Sequence, residues 1–246
     1  MKIGLLGAGN IGSTLARRLA TAGHDVVVAN SRGPETIDPD ILTTGARAVT
    51  AEDAVADVDV LILSIRLKSI PRIAGLVSSV PAETVVIDTS NYYPGRDGAI
   101  EAIDAGQAES EWVVDQLGRP VVKAWNAVLS DVFATGDRPA GHPERIGIPI
   151  AGDDAHAKEV AAGLMNDSGF DAVDAGSIAE SWRQQPASPV YCTALRAEQI
   201  PPALEAAKRD RLPALRDLAG DVIMERAQHA SIDVDFLLRL NRLLYM

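Results

Sequence analysis

Three observations predict an α/β fold built on a doubly wound, mostly parallel sheet. The chain opens on an apolar run, Lys2 to Leu6, that passes directly into a Gly-x-Gly-x-x-Gly turn and a helical pattern. Short continuous apolar runs then recur between helical stretches, as suits strands buried on both faces of a parallel sheet. From Pro201 to the end the pattern is helical alone.

Taken in order, the strands are expected at 2–6, 26–30, 58–65 and 84–88, with Gly45 to Val49 as a short extra strand. The first helix spans about Asn10 to Ala22 and ends at Gly23, a natural left-handed stop. A short helical turn is expected near Glu52 to Ala56 and helices over Pro71 to Val80 and Glu109 to Leu117. Pro120 to Ala124, Arg145 to Ile150 and Phe170 to Val173 read as strands. Between the last two runs a helix extends to about Asp167, capped at Asp153 or Asp154. Arg138 to Pro143 is a loop. Pro213 either breaks the late helical stretch or opens a new helix. Phe236 to Leu244 forms a strongly apolar terminal helix that caps the core or makes a dimer seam. The expected division is a Rossmann-like nucleotide domain over 1–185 and a helical segment over 186–246.

Composition narrows the function. With 34 acidic against 23 basic residues the net charge is −11, which argues against nucleic acid or an anionic membrane as partner. No apolar run approaches membrane-spanning length. The N-terminus runs straight into a strand that Gly7 interrupts, so no leader is expected and the cytoplasm is the expected compartment. A lone cysteine, Cys192, excludes an internal disulfide and reads as a small buried apolar residue. His24, His142, His156 and His229 are dispersed without ligand spacing, so no metal site is expected.

The chemistry gathers at the carboxyl ends of the strands, where doubly wound sheets bind ligands. Gly7 allows the tight turn, Gly9 lets backbone N–H groups approach a pyrophosphate, and Gly12 permits close helix–strand packing, with Ala8, Asn10 and Ile11 completing the turn. At the end of the second strand an NAD-preferring site carries a carboxylate for the ribose 2′-OH. This chain has Asn30, Ser31 and Arg32, whose guanidinium and hydroxyl suit a 2′-phosphate, so NADP(H) is the expected cofactor. Ser64 and Ile65 are placed beside the nicotinamide ribose. Arg66 and Lys68 suit an anion or begin a solvated helix. The next exits bring Asn91, Tyr92 and Tyr93, then Asn126. Lys123 is either a proton donor beside the site or a lysine that snorkels outward.

These residues together resemble the family of NADP-dependent oxidoreductases typified by the NADPH:coenzyme F-420 (8-hydroxy-5-deazaflavin) oxidoreductase. The nucleotide fold is shared more distantly with pyrroline-5-carboxylate reductases and with the reductase domain of membrane ferric reductases. The resemblance spans most of residues 1–190. It rests on the Gly-Ala-Gly-Asn-Ile-Gly turn, Asn30-Ser31-Arg32, the Asn91 to Pro94 loop, Val121 to Asn126, Ile150 to Asp154 and Asp174 to Ser177. It implies direct hydride transfer between nicotinamide and a flat ring stacked against it, which is a task of positioning. Two positions depart from the family pattern: Asn126 stands where a histidine is expected, and Arg66 where a proline is expected.

The sequence therefore points to an NADP(H)-dependent oxidoreductase, expected to be a homodimer, acting on a small redox substrate such as coenzyme F-420 or a flavin. A reductase of imines or carbonyls would need a proton donor, for which Tyr92, Tyr93 and Lys123 are available. A non-catalytic NADP(H) sensor would need only the cofactor crevice. The candidates for catalysis are Asn126, Lys123 and Tyr93.

Overall fold

The computed structural model describes all 246 residues. Strand β1 (Lys2–Leu6) leads into α1 (Asn10–Thr21), β2 (Asp25–Ala29), α2 (Pro39–Leu42), β3 (Arg47–Ala48), α3 (Ala51–Val55) and β4 (Val60–Leu63). Then come α4 (Ile70–Val77), β5 (Val85–Asp88), α5 (Pro94–Asp97), α6 (Glu101–Asp104), α7 (Glu109–Leu117), β6 (Val122–Lys123) and α8 (Ser130–Thr135). The chain closes with β7 (Gly147–Ile150), α9 (Ala155–Asp167), β8 (Asp171–Asp174), α10 (Ile200–Ala206), α11 (Leu212–Ala227) and α12 (Val234–Tyr245).

Six strands form one parallel sheet in the order β3-β2-β1-β4-β5-β6. The chain leaves β1 in one direction for β2 and β3, then returns to place β4 on the other side of β1. That reversal opens a crevice beyond the carboxyl ends of β1 and β4. The parallel pair β7–β8 joins the β6 edge through reciprocal Lys123–Ala151 backbone bonds of 2.8 and 3.0 Å, in antiparallel sense. The sheet as a whole is thus mostly parallel, as the sequence predicts.

Both sheet faces are covered, because every residue of β4 and β5 is buried and apolar side chains point both ways. One core, under α1 and α9, gathers Ile3, Leu5, Leu15, Leu19, Ile62 and Ile87. The other, under α3, α4 and α7, gathers Leu6, Leu61, Leu63, Ile70, Val77 and Val113.

Local signals account for most boundaries. Gly23 adopts φ +92° just past α1, and Asp154 caps α9 by accepting the Ala157 N–H at 2.6 Å. Asp153 does something else: its carboxylate accepts the Ile178 N–H at 3.0 Å and anchors the following loop. Pro213 opens α11, where its missing N–H is no loss. The strand expected over 58–65 is shorter at both ends, and those over 45–49 and 120–124 shrink to two residues each. Helices α5, α6, α8 and α10 and the 3-10 turns over Ile178–Gln184 carry too few periods to be read from the sequence.

The segment after Gln185 folds back onto the carboxyl side of the sheet. Cys192 N–H bonds the Ala127 carbonyl at 2.9 Å, and Ala187, Tyr191 and Cys192 pack against Ala127, Ala219 and Tyr245. Three residues of this segment, Ala187, Cys192 and Ala194, adopt left-handed backbone at φ +75°, +56° and +52°. Each costs energy for a side chain with a Cβ, so surrounding contacts must hold it. Part of that hold comes from α12, whose Asn241 and Arg242 donate to the Cys192 and Thr193 carbonyls at 3.1 and 2.9 Å. The terminal helix therefore caps its own chain through Leu240, Asn241 and Tyr245.

Candidate functional site

The crevice between β1 and β4 is shaped by two glycines that tolerate no substitute. Gly7 sits at φ +111°, and a Cβ there would overlap the Ser64 carbonyl. A Cβ on Gly12 would overlap the Gly7 carbonyl, so α1 can lie this close to the strand only with hydrogen at that position. Gly9 is different. A Cβ built on it meets nothing within 4 Å, so the backbone faces open space at the tip of α1.

That helix tip is ready for an anion. Gly9 provides no side-chain cap, and no acidic residue lies in the first turn. The first intrahelical bond is Ser13 N–H to the Gly9 carbonyl at 2.7 Å, which leaves the Asn10, Ile11 and Gly12 N–H groups without a protein acceptor. Unpaired N–H groups and the helix dipole together favour a phosphate here. A pyrophosphate fits this cradle. Ser64 and Ile65 leave β4 beside Gly7, with Ser64 N–H bonded to the Leu6 carbonyl at 2.8 Å.

At the end of β2, Asn30 builds the loop. Its Oδ1 accepts the Arg32 N–H at 2.8 Å, and its amide and the Thr36 hydroxyl bond each other at 2.9 Å. This leaves Ser31 and Arg32 exposed on the turn, and the Arg32 guanidinium takes part in no ion pair. The exit of β4 splits in role. Lys68 donates to the Arg96 carbonyl at 2.6 Å and ties 3-10 residues to α5, whereas Arg66 stays exposed.

Further along the sheet, the residues considered for acid–base work are already engaged. Lys123 and Asp88, register partners on β6 and β5, form a fully buried ion pair at 2.8 Å, and the ammonium also donates to the Ser90 carbonyl. Lys123 does not snorkel outward, because its ammonium is held inside by the Asp88 carboxylate and the Ser90 carbonyl. Asn126 is buried as well. Its amide donates to Asn91 Oδ1 at 3.1 Å and to the Gln184 carbonyl at 2.8 Å, while Gln184 donates to its Oδ1 at 2.9 Å. Asn91 in turn donates to the Asn126 carbonyl at 2.9 Å. Every polar position of the Asn126 side chain is used to lock the β5 and β6 exits together. The left-handed backbone of Trp125, at φ +54°, turns Asn126 into this network.

Tyr93 hydroxyl pairs with that of Tyr191 at 2.8 Å, and burial raises the Tyr93 phenol well above its ordinary range. Tyr92 hydroxyl donates to Asp104 at 2.9 Å and accepts the Ile100 N–H. Burial pushes the Cys192 thiol up to about 12, so it stays protonated and inert. No cluster of three or more His, Cys, Asp or Glu could hold a metal.

Two residues that matter here carry no sequence signal. Gln184 is fully buried and completes the Asn91–Asn126 network from more than fifty positions away. Glu109, expected only as a helix-start residue, is 3% exposed and lies among the charges of Lys123 and Asp88. Burial pushes its carboxyl up to about 7, against the opposing pull of Lys123 and of the Tyr92 N–H.

The chain resembles several known proteins. A family model described as NADP oxidoreductase, coenzyme F420-dependent, matches residues 2–92. The chain is 48% identical over 83 residues to the protein YjhV of Escherichia coli (strain K12), covering 31% of this chain and 59% of that one. It is 27% identical over 181 residues to the metalloreductase STEAP3 of Rattus norvegicus, covering 73% of this chain and 35% of that one. The chain thus spans 59% of the length of the first of these curated relatives and 35% of the second. Among solved structures, the hypothetical protein SMa0349 from Sinorhizobium meliloti matches with a TM-score of 0.63 at 30% identity, over 75% of this chain and 89% of that one.

Proposed function

We propose that the chain, which resembles the coenzyme F420-dependent NADP oxidoreductases over residues 2–92, exchanges hydride between NADP(H) and a flat redox ring. The observation that carries this reading is the cofactor cradle: three free N–H groups at the tip of α1, open space at Gly9 and an unpaired Arg32 guanidinium on the adjoining turn. The cradle would hold the pyrophosphate, and Arg32 with Ser31 would hold the 2′-phosphate. Reduced nicotinamide supplies the hydride when bound.

This chain's part in the reaction is then to orient and to exclude water. Ser64 and Ile65 bound the crevice at the exit of β4, and the Asn91–Asn126–Gln184 lock keeps the β5 and β6 exits rigid beside it. Lys123 is neutralised by Asp88 out of reach of solvent, and the Tyr93 phenol holds its proton against Tyr191. Such groups are poorly suited to give up a proton in turnover, which favours ring-to-ring transfer over reduction of an imine or carbonyl. We place coenzyme F-420 first among the acceptors and flavin next.

The test is NADPH oxidation against a panel of deazaflavin, flavin, quinone, imine and carbonyl acceptors. Turnover with a flat ring, and transfer of deuterium from labelled NADPH into it, is expected. Turnover confined to imines or carbonyls would overturn the proposal.

A further inference from the structure

A second concavity lies away from the dinucleotide crevice and shares no lining residue with it. It is a cleft of about 110 Å³ between the loop that joins α6 to α7, the Gln185–Pro186 turn and the start of α11. Polar groups dominate its walls, which include Asp104, Glu109, Gln185, Arg209 and Arg216. Two buried polar atoms there have no protein partner: Glu109 Oε2 and Gln185 Nε2. Buried polar atoms are normally paired, so the cleft favours a ligand that pairs with these two.

The cations are held but not exhausted. Arg209 Nη2 donates to the Gly106 carbonyl at 2.7 Å, which fixes the side chain and leaves its other donors free. Arg216 Nε bonds Asp217 at 2.8 Å, with its guanidinium 5.4 Å from the Tyr92 ring centroid. Asp104 already accepts the Tyr92 hydroxyl.

We propose that this cleft binds a small organic monocarboxylate, gripped by the Arg209 and Arg216 guanidinium groups and by the Gln185 amide, with the protonated Glu109 carboxyl donating its O–H to the ligand. Guanidinium forks match a planar carboxylate, and the cleft has room for a molecule of a few heavy atoms. Charge selects a monoanion. Of the two arginines only Arg209 has no carboxylate partner, and Asp104 lies in the same wall, so a dianion would be left undercompensated. Glu109 also senses Lys123, Asp88 and Arg216, and burial keeps its carboxyl up to about 7. The proton it then carries is the donor that the ligand needs. Above that range Glu109 becomes an acceptor facing an anion, and binding weakens.

The experiment is calorimetric titration of the full chain with glycolate as probe and sulfate, a dianion at both pH values, as control, at pH 6 and pH 8. Saturable glycolate binding is expected, several-fold tighter at pH 6 than at pH 8, with sulfate at least tenfold weaker. Arg209→Ala, an exposed position, should weaken glycolate about tenfold and leave NADPH binding unchanged. Glu109→Gln should keep glycolate binding and abolish its pH dependence. If Glu109→Gln does not fold, Arg209→Ala decides the matter alone. No saturable glycolate binding, equal binding of sulfate, or an unaffected Arg209→Ala variant overturns the proposal.

Discussion

Replacing Lys123 with methionine tests the buried pair and the mechanism at once. Both partners are 0% exposed. Removing the ammonium leaves the Asp88 carboxylate in the interior with one remaining bond, the Ser90 N–H at 2.9 Å. An uncompensated buried charge of this kind costs about 3–5 kcal/mol. For a chain of this size that corresponds to a fall in Tm of roughly 6–20 °C. The double variant Asp88→Asn, Lys123→Met removes both charges, and the amide oxygen can still accept the Ser90 N–H. It should regain at least half of the loss, because a neutral replacement of a buried pair is often nearly neutral in energy. Denaturant titration of the three proteins measures these differences. Turnover per folded molecule should stay within about fivefold of the unmodified protein, since Lys123 orders the β5 and β6 ends without donating a proton. A single variant that loses less than about 1 kcal/mol, or a double variant no better than the single, would refute the energetic argument. A drop in turnover of about a hundredfold with cofactor binding intact would refute the mechanistic one and make Lys123 a general acid.

Arg32→Ala should weaken NADPH binding about tenfold to thirtyfold, the lower part of the range for a charge-assisted contact because the side chain is exposed. NADH binding should not change, and fluorescence titration of both cofactors distinguishes this from general damage to the crevice. Gly9→Ala should keep the fold, since φ −80° suits alanine and open space surrounds the position, yet lose NADPH binding as the methyl group enters the pyrophosphate cradle. Gly12→Ala should instead lower the melting temperature outright by forcing α1 off the Gly7 carbonyl. Stability should also depend on pH through Glu109. Its carboxyl titrates near 7 in the folded chain against an ordinary value of 4.5, so the folded state holds the extra proton between these values. The contribution is fully present below about 4.5 and is lost as pH rises through 7, and Glu109→Gln should flatten that slope in denaturation curves measured from pH 4.5 to 8.

What the sequence by itself determined is everything that repeats at short range. The strand–turn–helix from Lys2 to Thr21 follows from an apolar run, glycines at three fixed positions and a helical pattern, and each of these acts within a few residues. The same holds for β4, β5, α7 and α9, whose runs are long enough to show their period, and for the absence of a side-chain carboxylate at Asn30-Ser31-Arg32. No helix is long and apolar enough to cross a membrane, as the composition implies. The departure of the structure from expectation begins where polar side chains meet partners far along the chain. In their own neighbourhoods Lys123 reads equally as a proton donor or a snorkelling lysine, and Glu109 as an ordinary helix-start charge. Whether a charge is solvated or buried depends on what the sheet order, the β7 edge and the 185–195 return place around it. Asn126 likewise reads as a free amide until Gln184 arrives to occupy it. Local periodicity records which way a residue faces relative to its own element. Only tertiary packing decides what stands opposite, and the desolvation that follows sets the charge state, the hydrogen bonding and hence the chemistry available at the carboxyl edge of this sheet.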